Sequence, residues 1–142
     1  MIRVTCFGGE ITDSLQVYLD RISKQISIEW KILKIKKQTS EQGSEPLNEE
    51  KAFLKSQEGR AWVALTVEGQ KMNSMEFYQW LFQKKRHLVI GPAAGFHPKT
   101  LAAAESKLSL SPLTFTHQTA QLMLAESLYR SVCIHFNHPF AK

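Results

Sequence analysis

One long run without glycine or proline, His117–His135, constrains this chain more than any other stretch. Within it and just past it, Leu122, Ala125, Tyr129, Val132 and Phe136 recur at spacings of three and four, the period of a helix with a buried stripe. Met123, Leu124 and Leu128 fall on flanking faces, so the helix is apolar around more than one side. That breadth exceeds what one small sheet covers and points to a further partner, such as another subunit. Thr116 is placed to cap the start, its hydroxyl accepting from an otherwise unpaired first-turn amide. Before the helix, Ser109–His117 reads SLSPLTFTH, a polar segment interrupted by proline.

The upstream chain alternates between two periodicities. Ile2–Phe7 reads as a strand ended by Gly8-Gly9, and Ile11 to about Gln25 as a helix with Leu15, Tyr18, Leu19 and Ile22 on one face. Ile26–Ile35 alternates as a second strand. Lys36–Leu47 is polar, aperiodic and carries glycine and proline, a loop within the domain. Glu49–Gln57 reads as a short helix, and Ala61–Val67 as a strand buried on both faces, followed by Glu68-Gly69. Asn73 or Ser74 caps a helix through about Lys84 with Phe77, Trp80 and Leu81 inward. His87–Ile90 is a buried strand, and Pro98–Lys107 a helix with proline in its first turn. Strands alternating with helices predict an α/β fold with a largely parallel sheet. The 142 residues are one domain's length, residues 1–142, with no internal repeat.

Several classes of function are disfavoured. No apolar run approaches the roughly 20 residues of a membrane span, and MIRVTCFGGE lacks the features of a secretory signal. Cys6 and Cys133 are far apart and have no metal-ligand spacing, which reads as two reduced, buried thiols in a cytosolic protein. The formal charge of +5 is clustered, with Lys31, Lys34, Lys36 and Lys37 in one group and Lys84, Lys85 and Arg86 in another. Such clusters read either as a solvated surface or as one that faces phosphates.

Ligands of parallel α/β sheets sit beyond the carboxyl ends of the strands. Three loops combine apolar with small residues there: Leu65–Gly69, Gly91–Gly95 and Ser109–Thr116. Gly91-Pro92-Ala93-Ala94-Gly95 is neither a dinucleotide fingerprint nor a Walker loop. No HExxH or comparable spacing joins the five histidines, which argues against a metal, and no GxSxG nucleophile is present.

SLSPLTFTH followed by AESLYR and NHP, with IGPAAG and LTVEG upstream, resembles the RlmH family over essentially the whole chain. These are small bacterial SPOUT methyltransferases that act on large-subunit (23S) ribosomal RNA. The resemblance implies an α/β domain with a C-terminal trefoil knot, a rare exception to unknotted topology. It also implies a cytoplasmic homodimer that methylates N3 of a pseudouridine on the assembled ribosome. The methyl donor would be S-adenosylmethionine, held by Leu65, by Gly91, Pro92 and Gly95, and by Leu110, Ser111, Pro112, Leu113, Thr114 and Phe115. His138 would serve as base or orienting group, and Lys142 would hold a phosphate. The chain departs from the family pattern in three places: at Pro92, at Gln121 in place of an arginine, and in the tail Phe140-Ala141-Lys142. A dimer that binds the ribosome without methylating it is the alternative reading.

Overall fold

The computed structural model describes residues 1–36 and 44–141. Lys37 and the centre of the polar loop lie outside them, as does Lys142. Five strands form one sheet: β1 (Ile2–Phe7), β2 (Ile28–Leu33), β3 (Val63–Lys71), β4 (Arg86–Ile90) and β5 (Ser106–Ser109). Every pairing is parallel, in the order β2-β1-β4-β3-β5. The helices are α1 (Asp13–Ser23), α2 (Asn48–Ser56), α3 (Ser74–Leu81), α4 (Pro98–Ala102) and α5 (His117–His135), with a 3-10 turn at Pro139–Ala141.

Strand alternation sorts the core into two layers. Ile2, Val4 and Cys6 of β1, with Leu88 and Ile90 of β4, face the side covered by α1, α3 and α5. Phe7, Ala64 and Val89 point the other way and meet Phe53, Trp62, Phe96 and Leu101 beside α2 and α4. Side-chain caps hold the helix starts. Thr12, Asn73 and Thr116 each accept a first-turn amide, and Glu76 returns a bond to the Asn73 N–H to complete a capping box. Glu50 does more than cap α2. It is 2% exposed and accepts both the Leu47 amide (2.9 Å) and the His97 amide (3.0 Å), tying α2 to the segment after β4.

Three sequence expectations change. The helix expected over Pro98–Lys107 stops at Ala102, and Ser106–Ser109 pairs with β3 as a fifth strand. There the open backbone edge of β3 outweighs a weak helical signal; pairing begins where the Glu105 amide bonds the Trp62 carbonyl (2.9 Å). The strand expected at Ala61–Val67 runs on to Lys71, because Glu68-Gly69 is an excursion rather than an end. Leu65 and Gln70 both oppose Leu108, so the residues between them bulge out. Gly69 permits this: a Cβ there would lie 2.5 Å from the Leu108 backbone. The stripe of α5 is also rotated from the expected one. Leu124, Ala125, Leu128, Tyr129 and Val132 are buried, whereas Phe136 is 47% exposed. With α1 and α3 flanking α5 above the sheet, one chain already accounts for much of its apolar breadth.

Candidate active site

The bulge of β3 and the loops at the carboxyl ends of β4 and β5 meet around one cleft of about 310 Å³. Leu65 supplies one wall with Thr66 and Val67 from the β3 bulge. Gly91, Pro92 and Gly95 supply another, and Leu110, Ser111, Leu113, Thr114 and Phe115 close over it. Pro112 is exposed and is not part of the wall. Val67 and Leu113 stand 48% and 67% exposed, large apolar side chains left open at a ligand-sized hollow.

Local chemistry shapes each loop. Pro92 begins a tight turn that the Gly95 amide closes onto the Pro92 carbonyl at 2.7 Å. Its missing N–H is therefore no loss to the turn, which uses its carbonyl. Gly95 has φ +90°. In the third loop Ser109 Oγ donates to the Ser111 carbonyl (2.9 Å), and Ser111 Oγ accepts the Leu113 amide (3.0 Å). These bonds curl residues 109–113 back on themselves before the chain crosses to α5.

His138 lies elsewhere. It lines a different hollow with Arg21, Lys24 and Tyr129, past the far end of α5. Asn137 adopts φ +58°, the Asn137 amide bonds the Ile134 carbonyl (3.3 Å) and the His138 amide bonds the Cys133 carbonyl (2.8 Å). That pair of bonds is a Schellman cap and explains Asn-His-Pro: a residue tolerant of the left-handed region, then the capping amide, then a helix breaker. The side chain is fixed too, since His138 Nδ1 accepts the Phe140 amide (3.2 Å). Arg130 stacks on Phe140, 4.9 Å from the ring centroid, and so holds the tail against α5.

From the sequence, His117 is only the start of a helix, yet its ring lines the cleft. Burial lowers its pKa, partly opposed by the backbone carbonyls of Gly91 and Phe7. Its place at the end of SLSPLTFTH, where a loop from one sheet edge enters a central helix, was the available signal. Neither thiol is reactive in this setting: Cys6 and Cys133 are buried, and burial pushes the Cys6 thiol up to about 12. Among the described residues no group of histidine, cysteine, aspartate and glutamate could hold a metal, and no helix is long and apolar enough to cross a membrane.

The basic clusters separate in space. Lys34 and Lys36 follow the carboxyl end of β2, the end of the sheet that carries the cleft. Lys84 and Lys85 precede β4, at the opposite end, and Lys84 pairs with Glu105 (3.1 Å). Arg86 is not a surface cation: it is 6% exposed, lies 4.1 Å from the Trp80 ring centroid, and donates twice to the Trp80 carbonyl (3.1 and 2.7 Å).

A family model described as predicted SPOUT methyltransferase matches residues 2–140. Proteins named ribosomal RNA large subunit methyltransferase H are similar over nearly their whole length. Those of Wolinella succinogenes and Alkalilimnicola ehrlichii are each 33% identical, the first over 99% of both chains and the second over 98% of this chain and 97% of its own. That of Christiangramia forsetii is 30% identical, over 98% and 97%.

Proposed function

Because this chain belongs to the SPOUT methyltransferase family, we propose that it transfers a methyl group from S-adenosylmethionine to large-subunit ribosomal RNA. The acceptor in this reading is N3 of a pseudouridine in a hairpin loop of the assembled ribosome. One observation carries it: in a member of this family, a bulge of β3 and the loops after its neighbours β4 and β5 converge on one apolar, ligand-sized cleft.

The residues present fit such a donor. Leu65, Leu110 and Phe115 offer an apolar wall to a flat base, while the Gly91–Gly95 and Leu110–Phe115 backbones offer polar groups at close range. S-adenosylmethionine would supply an electrophilic methyl on a sulfonium that is already a good leaving group. The chain's main contribution is then placement, since holding reactants in line is worth several kcal/mol. The acceptor nitrogen must also lose a proton, a task for a positioned base.

His138 is the candidate for that role, and it implies a dimer. The 19 residues of α5 span about 28 Å, with His117 at the cleft and His138 beyond the other end. Within one chain the two do not meet, so in this reading a second copy would bring its own His138 to each cleft. Lys142 would follow on the same tail and hold a phosphate. The trefoil knot belongs to the same reading; residues 110–116 cross from the β5 edge over the ends of β3 and β4 before entering α5. A single-domain cytoplasmic homodimer working on ribosomes completes it.

The test is transfer of labelled methyl from S-adenosylmethionine to ribosomes that lack the modification, with the mass of the protein in solution measured alongside. We expect stoichiometric transfer, a dimeric mass, and loss of transfer in His138→Ala. Ribosome binding with no transfer would favour the non-methylating alternative, and a monomeric active enzyme would remove His138 from the site.

A further inference from the structure

At the carboxyl ends of the neighbouring strands β1 and β4 the chain departs in opposite directions, to β2 on one side and towards β5 on the other. Such divergence leaves a crevice in a parallel sheet. His117 fills it. The carbonyls of Phe7, the last residue of β1, and Gly91, the first after β4, both face its ring. Its Nε2 is buried and makes no hydrogen bond of good geometry, while the two carbonyls act on the ring electrostatically.

The other side of the ring is held by a chain of bonds. Trp30 Nε1 donates to Gln121 Oε1 (3.3 Å), and Gln121 Nε2 lies 3.2 Å from His117 Nδ1. An indole N–H can only donate, so Gln121 must turn its oxygen to Trp30 and its amide hydrogens to His117. His117 Nδ1 must then accept, and a neutral imidazole with a bare Nδ1 carries its hydrogen on Nε2, towards the two carbonyls. Gln121 is fully buried. Gly9, at φ +86°, leaves it room: a Cβ there would collide with Gln121 Nε2 and lie 3.0 Å from His117 Nδ1.

We propose that His117 is a positioning residue for the methyl-donor cleft, locked as the Nε2–H tautomer by Trp30 and Gln121 so that its ring stays wedged between the ends of β1 and β4 and supports the Gly91–Gly95 loop. This rests on the cleft being the donor site. The influences on the ring are burial and the two carbonyls; the titratable neighbour of the bond chain is the Cys6 thiol against Trp30, which stays neutral. Protonation would place a hydrogen on Nδ1 facing the Gln121 amide donors, break the chain, and release the loop.

Two measurements on the full chain test it. Long-range nitrogen–proton correlation of the histidine rings reads the tautomer directly, and titration with S-adenosylmethionine from about pH 8 to pH 5 reads the cleft. The expected wild-type pattern is a protonated Nε2, a bare Nδ1, and affinity that falls on the acid side. Gln121→Glu, whose carboxylate accepts from both Trp30 and Nδ1–H, should move the acid limb to higher pH and weaken affinity about tenfold at neutral pH. His117→Gln keeps a donor near the Nε2 position but has no titrating ring, so whatever its affinity the acid limb should be gone, which a merely space-filling role would not produce. An Nδ1–H tautomer in the wild type, or coincident pH profiles in the wild type and His117→Gln, would overturn the inference while leaving the cofactor reading intact. Failure of the wild type to bind S-adenosylmethionine at any pH would overturn both the cofactor reading and the positioning role, and the tautomer would still report separately on the bond chain.

Discussion

His87 on β4 shares a 2.8 Å hydrogen bond with Thr5 Oγ1 of β1, and burial, aided by Arg3 and opposed by Glu29, pulls its imidazole down to about 4. An unfolded chain takes up that proton near pH 6.5, before the folded one does. The contribution to stability is therefore complete above about pH 6.5 and lost as pH falls through about 4. Denaturation midpoints of the wild type should drop over that interval, and His87→Gln should lack this part of the slope; parallel curves would place the titration elsewhere. At Arg86 the chemistry is packing. Arg86→Met strips two donors from the Trp80 carbonyl and should destabilise by about 1–3 kcal/mol in chemical denaturation, while leaving ribosome affinity unchanged. Sequence alone grouped Arg86 with Lys84 and Lys85, because adjacency in a charge run does not reveal that strand alternation turns one member inward.

α5 packs against the sheet between α1 and α3 and buries eight of its 19 residues. Leu128 is fully buried there, and Leu128→Ala should cost about 2–5 kcal/mol in urea denaturation. The capping box at Asn73 is exposed, so Asn73→Ala should cost nearer 1 kcal/mol; equal losses at the two sites would contradict this division. The existence of α5, its Thr116 cap and β1 were legible in the sequence because periodicity over many residues is hard to produce otherwise. β5 was not, since Ser106–Ser109 is too short for alternation to show and depends on the free edge of β3. The length of β3 was hidden for a related reason: Glu68-Gly69 looks the same whether a strand ends or bulges. Of the cleft, the loop residues could be read from their place after strands; SLSPLTFTH put His117 near them, but its role could not be read, because it comes from Phe7 and Gly91 meeting across the sheet.

For the whole molecule, the sheet has two unlike ends. The carboxyl end carries the cleft with Lys34 and Lys36 nearby in the fold's polarity, and the amino end carries Lys84 and Lys85. If ribosomal RNA approaches the cleft, charge reversal at Lys34 and Lys36 should weaken ribosome binding and flatten its salt dependence, by close to one counterion for each phosphate no longer neutralised. Reversal at Lys84 and Lys85 should do neither. Equal effects at both ends would mean the basic charge acts only as a diffuse field. Methyl-donor binding comes down to what fills the hollow between the three loops. A crystal structure of the protein soaked with S-adenosylmethionine is the direct measurement. We predict adenosine density against Leu65, Leu110 and Phe115, with the Pro92–Gly95 turn unchanged. Density at the hollow beside Arg21 and Tyr129 instead, or a cleft that stays closed to the ligand at saturating concentration, would contradict it.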